Sequence, residues 1–106
     1  MILTTLETVP GYVTSAHLGI VNGSTVRSKH FGRDFMAGLK NIVGGELKGY
    51  TELLNESRQE AIERLKQQAE AIGADAVLNI RFATSSIAAG AAEVFAYGTA
   101  VKLNRA

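Results

Sequence analysis

Between Glu46 and Phe82 the spacing of apolar residues changes period once, within three residues. Leu47, Tyr50, Leu54, Ala61, Leu65, Ala69 and Ile72 recur at helical spacing and form one stripe, with Glu60 and Arg64 as an i,i+4 pair on the wet side. Gly73 then suits the left-handed C′ position and Ala74 the residue after it, as in a Schellman ending. Beyond Asp75 the pattern alternates. Ala76, Leu78, Ile80 and Phe82 are expected to face the helices, and Asn79 and Arg81 to face away. Asn55 either interrupts the helix or caps its later half, which leaves the boundary between Gly45 and Asn55 open.

The flanking regions follow the same rules. Ile2 to Leu6 reads as a short strand, Pro10-Gly11 as a turn and Tyr12 to Val21 as a strand with both faces partly covered. Asn22-Gly23-Ser24 is a turn signal, after which Thr25-Val26-Arg27 returns as a short strand. Phe31, Phe35, Leu39, Ile42 and Val43 predict a first helix over Lys29 to Val43, with Ser28 as N-cap and Gly44-Gly45 as its stop. The small-residue tract from Thr84 to Ala92 predicts a loop or a loosely paired hairpin connection. The last strand, Glu93 to Leu103, puts Phe95, Tyr97, Thr99, Val101 and Leu103 on one side and Val94, Ala96, Gly98 and Ala100 on the other. A side made of such small groups admits another backbone, and a neighbouring subunit is the expected occupant. The fold class is α+β, a small antiparallel sheet with two helices packed on one face. Such a sheet has two edges, and an unpaired edge invites partners.

Composition narrows the chemistry more than it names it. The 106 residues suit a single domain, 1–106, with 46% apolar residues to build one core. Cysteine is absent, which removes disulfides, thiolate metal sites and cysteine nucleophiles. The net charge of +1 lacks the basic excess of a nucleic-acid binder, although Arg27 to Lys48 is net positive and Glu52 to Asp75 net negative. The first residues lack a signal-peptide pattern and no apolar run is long enough to span a membrane, so a soluble, cytoplasmic protein is expected.

Five stretches in order carry a resemblance. They are Gly19-Ile20-Val21 before a turn, Asn41-Ile42-Val43-Gly44-Gly45, Tyr50-Thr51-Glu52-Leu53-Leu54 with Arg58 and Ala61, Gly73-Ala74-Asp75-Ala76-Val77, and Tyr97-Gly98-Thr99-Ala100-Val101. Together they resemble the YbjQ-like family, which carries a heavy-metal-binding label, and the likeness spans almost the whole chain. The resemblance implies a dodecin-like β-α-β-β subunit that forms a closed ring, a pentamer, and it implies no established activity. The chain departs from a heavy-metal pattern in its donors, because Met1 and Met36 are its only sulfur ligands.

Side chains able to do chemistry are few. His17 lies in a predicted strand and His30 at a helix start beside Lys29, without the spacing of a metal motif. A ring would repeat one residue around its axis, so His17 is the candidate metal ligand. Glu52, Glu56, Glu60 and Glu63 read as a solvated helix face, neutralised by Arg58, Arg64 and Lys66. No phosphate-loop fingerprint is present, which leaves the amides of Ser85 to Ala92 as the one conceivable anion nest. Ser15, His17 and Asp34 lack a nucleophile elbow around them, so no enzyme is expected. The expectation is a non-enzymatic homo-oligomer that binds a small ligand or ion at its ring or interface, without a nucleic-acid or membrane partner. Tyr97, Gly98, Thr99, Ala100 and Val101 are its candidate interface. The alternative is a metal-binding protein with a symmetry-generated site. No cofactor is identified from sequence, and a metal ion is the one candidate.

Overall fold

The computed structural model describes residues 1–27, 48–88 and 91–106. The predicted first helix, Ser28, His30, Asp34 and Gly44-Gly45 lie outside the described residues. The elements are β1 (Ile2–Leu3), β2 (Tyr12–Arg27), α1 (Lys48–Ala71), β3 (Ala76–Ala88) and β4 (Ala91–Arg105). They form a four-stranded sheet of order β1-β3-β4-β2. The sheet is mixed rather than antiparallel, because β1 runs parallel to β3 while β3 and β2 both run antiparallel to β4. The N-terminal segment continues along β3 through bonds from the Thr4 amide to the Val77 carbonyl and from the Ile80 amide to the Thr4 carbonyl.

The Asn22-Gly23-Ser24 turn does not form. Strand β2 runs without a break through these residues, paired with Tyr97, Ala96 and Phe95. Its 16 residues, at about 3.3 Å each, account for the 54 Å long axis of the molecule. Gly23 serves a different purpose from a turn. A Cβ placed there would lie 2.2 Å from the Ala61 carbonyl oxygen and 2.3 Å from the Leu65 amide nitrogen. The backbone of α1 rests directly on the strand at this point, and only a residue without a side chain admits it.

Helix α1 lies over β2 and less over β4, and it barely touches β3. Ser57, Ala61, Leu65 and Ala69, four residues apart, are buried on it; the last three meet Val21, Val77, Ile80, Val94, Ala96 and Ala100 of the sheet, and the Ser57 carbonyl accepts from the Thr25 hydroxyl. Leu54 is half-buried and Ile72, predicted in the stripe, is exposed. Helix α1 passes unbroken through Asn55, whose Oδ1 accepts from Arg58 at 3.2 Å. Its end is the expected Schellman motif. The Ala74 amide donates to the Ala69 carbonyl, the Gly73 amide donates to the Glu70 carbonyl, and Gly73 has φ +78°.

A bulge divides the predicted facing of β3, which fails for Ala76 and Leu78 and holds for Ile80, Phe82 and Arg81. Asn79 and Ile80 together oppose Gly98, between the pairs Leu78 with Thr99 and Arg81 with Tyr97. Asn79 takes the left-handed conformation, φ 55°, which Asn tolerates better than most residues. The parity of the strand therefore reverses at the bulge. Val77 and Ile80 join the core under α1, whereas Ala76 and Leu78 join Val101 in a second buried cluster on the opposite face, with Val9 and Leu103 against it. Of the two expectations for the tract from Thr84, the paired hairpin connection is the one that forms, and not the loop. Strands β3 and β4 stay paired through Thr84 with Val94, Ser85 with Glu93 and Ser86 with Ala92, since small side chains remove none of the backbone bonds.

Candidate functional site

The small side of β4 is occupied within the chain. Gly98 is buried, and a Cβ there would lie 2.7 Å from Cγ1 of Val77, 2.8 Å from the Leu78 carbonyl oxygen and 3.2 Å from Cγ1 of Ile80. The bulge of β3 fills the space that glycine leaves. Ala100 and Val101 are fully buried, Ala100 under α1 and Val101 on the opposite face against Ala76 and Leu78. Of the five predicted interface residues, only Tyr97 is exposed, with Thr99 half-buried. The reason for placing a second subunit against the small side is thus met by α1 and β3 of the same chain.

The opposite face carries the larger groups. Cross-strand pairs share a face, so the rows Phe95 with Ser24, Tyr97 with Asn22 and Thr99 with Ile20 all point away from α1. The rings of Phe95 and Tyr97 stack there with centroids 5.2 Å apart. Ile20 is 80% exposed and Val26, paired with Glu93, is 53% exposed. No described element covers this part of the sheet, which presents Phe95, Tyr97, Thr99, Ile20 and Val26 interspersed with Asn22, Ser24 and Glu93.

His17 stands on the same strand, opposite Val101, and is exposed. Register shifts between Thr14 and Ala16 and between His17 and Gly19 leave Ser15 and Leu18 without a partner on β4. Among the described residues no group of three or more His, Asp or Glu side chains could hold a metal ion. The chain has no cysteine, so the described residues of one subunit offer neither thiolate donors nor an assembled set of other ligands. Ser15 and His17 are both exposed on β2, and Asp34, the third member of the suggested nucleophile system, lies outside the described residues. Of the helix acids whose side chains are described, Glu56 and Glu63 are exposed as expected and Glu60 meets Arg64 at 2.5 Å. Thr84 to Ser86 are in paired strand, where successive amides point to opposite sides and cannot converge on an anion.

Two features of this region had no foreseeable signal as separate motifs. Gln68 and Arg64 reach a strand forty or more positions earlier: the Asn22 amide donates to Gln68 Oε1 at 2.6 Å, and Arg64 Nη1 donates to the Ser24 carbonyl. Arg81, expected only to face away, donates to the Thr5 carbonyl at 3.1 Å and ties the N-terminal segment to the bulge.

Comparison with known proteins places the chain in context. A family model described as "Putative heavy-metal-binding" matches residues 1–104. The chain is 67% identical to a UPF0145 protein of Hahella chejuensis over 101 residues, 95% of this chain and 97% of that protein. It is 55% identical to a UPF0145 protein of Thermotoga maritima over 105 residues, 99% of both. A crystal structure of a protein of unknown function from Pediococcus pentosaceus, assigned to the DUF74 family, superposes with a TM-score of 0.64 at 17% identity, covering 98% of each chain. That likeness concerns the fold.

Proposed function

Given that the chain belongs to the YbjQ-like family, we propose that it acts as a non-enzymatic homo-oligomer, a closed ring of five copies, that binds a small ligand or ion at the ring or between subunits. The observation that carries self-association is the shape of the chain together with the uncovered part of its sheet. Its radius of gyration is 17.0 Å, against about 13 Å for a compact domain of this length. An elongated sheet with Ile20, Val26 and Tyr97 in contact with water gains burial from a second copy of itself. The five-fold number comes from the resemblance and not from the geometry. With Gly98, Ala100 and Val101 buried inside the chain, Tyr97 and Thr99 are the members of the predicted interface that a neighbour can reach.

The test is native mass spectrometry of the tag-free protein. A five-fold mass supports the ring, an added mass identifies the bound ligand, and a monomer at micromolar concentration overturns the reading. Gly98→Glu is unsuited to this purpose. It places a charge inside the subunit and breaks the fold whether or not an interface exists.

The family description favours a second reading, a metal site generated by symmetry with His17 as its ligand. His17 is exposed on the long strand, where copies of a ring could bring several imidazoles together. Metal titration of wild type and His17→Ala decides it. Equal binding by both removes His17 from the site.

A further inference from the structure

Strand β2 is the last strand of the sheet, and along one stretch its outer edge is not bare. The close approach at Gly23 sets α1 over β2, so side chains one turn apart on the helix reach round the strand. Asn22 and Ser24 stand two positions apart on β2. The Asn22 amide donates to Gln68 Oε1, and the Ser24 carbonyl accepts from Arg64 Nη1, while Arg64 Nη2 is held by Glu60. In a strand, alternate residues direct their backbone groups to the same side. These two bonds therefore take up one donor and one acceptor of the row to which an added strand would bond. The other half of β2 is interrupted by the unpaired residues Ser15 and Leu18, a bulging that also spoils a template for regular pairing.

We propose that Gln68 and Arg64 guard the outer edge of β2, closing it to a strand from a second copy of this chain, so that association through the sheet face does not lead to open-ended edge-to-edge growth. The guard works whether the native protein is a ring or a monomer. It differs from simple helix anchoring in its consequence. Loss of an anchor lowers stability, whereas loss of a guard creates new association.

The experiment compares wild type with the Arg64→Ala/Gln68→Ala pair and with the conservative Arg64→Lys/Gln68→Glu pair, in which a donor and an acceptor are retained. Light scattering across a concentration series reads the weight-average mass, and hydrogen exchange reads the Asn22 amide. The alanine pair is expected to rise at least about twofold above the wild-type mass as concentration increases, since a freed edge on each copy is open to pairing with another. The conservative pair is expected to keep the wild-type mass and the protection of Asn22. An alanine pair that stays at the wild-type mass with its circular dichroism intact overturns the guard, as does equal association of both pairs. If the alanine pair fails to fold, Gln68→Ala alone carries the test. Concentration-dependent growth supports the guard, and an unchanged mass overturns it.

Discussion

The two faces of the sheet at its β2-β4 end differ in side-chain size, and in the opposite sense to what burial alone would suggest. Under α1 stand the rows Val94 with Thr25, Ala96 with Gly23 and Gly98 with Val21, all buried. On the other side stand Phe95, Tyr97, Ile20 and Val26, partly or largely exposed. Large apolar groups on a strand are usually read as core and small ones as a place for something else. Here the small groups are core, because their cover, the α1 backbone at Gly23 and the β3 bulge at Gly98, comes as close as a side chain would. The size of a strand residue reports how close its cover lies, and not whether it has one.

Breaking the covered face has the largest effect. Leu65 is fully buried between α1 and the sheet, so Leu65→Ala should cost about 2–5 kcal/mol by urea denaturation. A loss below about 1 kcal/mol would mean that α1 packs more loosely than its burial indicates. Gly23→Ala is the sharper probe, because it adds one methyl where helix and strand backbones meet. The helix must lift, at a cost of about 1–3 kcal/mol, and the Asn22 amide should lose protection with it as Gln68 is carried away. A neutral Gly23→Ala would show that the two elements are farther apart in solution. The open face supplies the smallest effect. Ile20→Thr keeps a β-branched strand residue and should change the stability of the isolated subunit by no more than about 0.5 kcal/mol. If the ring uses this face, the same substitution shifts native mass towards smaller species. A stable variant of unchanged mass would place the contact elsewhere.

The comparison also explains which expectations held. The end of α1 was readable because a Schellman motif is local: Gly73 needs no distant partner to adopt a positive φ. The Glu60 and Arg64 pair was readable for the same reason, as both sit on one helix face. The turn at Asn22-Gly23-Ser24 failed because two causes place glycine in a chain, conformation and proximity, and they look alike in sequence. At Gly23 the cause is a helix nearly forty residues later. The facing of β3 failed at Ala76 and Leu78 in the same way. Alternation holds only until a bulge, and the bulge at Asn79 and Ile80 exists because Gly98 on the next strand leaves room for it. Of the candidate site, the pattern of large and small residues on β4 was legible, but which side is free was not.

The sequence by itself determined the α+β class, the later part of the helix with its stop at Gly73, the strand that follows Asp75 and the absence of thiolate chemistry. Each rests on local periodicity, a local cap or composition. Only the tertiary structure decided that β2 is one continuous strand, that β1 adds in parallel, that the small side of β4 is filled from within and that Gln68 and Arg64 reach the β2 edge. The physical reason is common to all four. Each is a contact between segments far apart in the chain, and close approach is a property of two surfaces together, which neither carries alone.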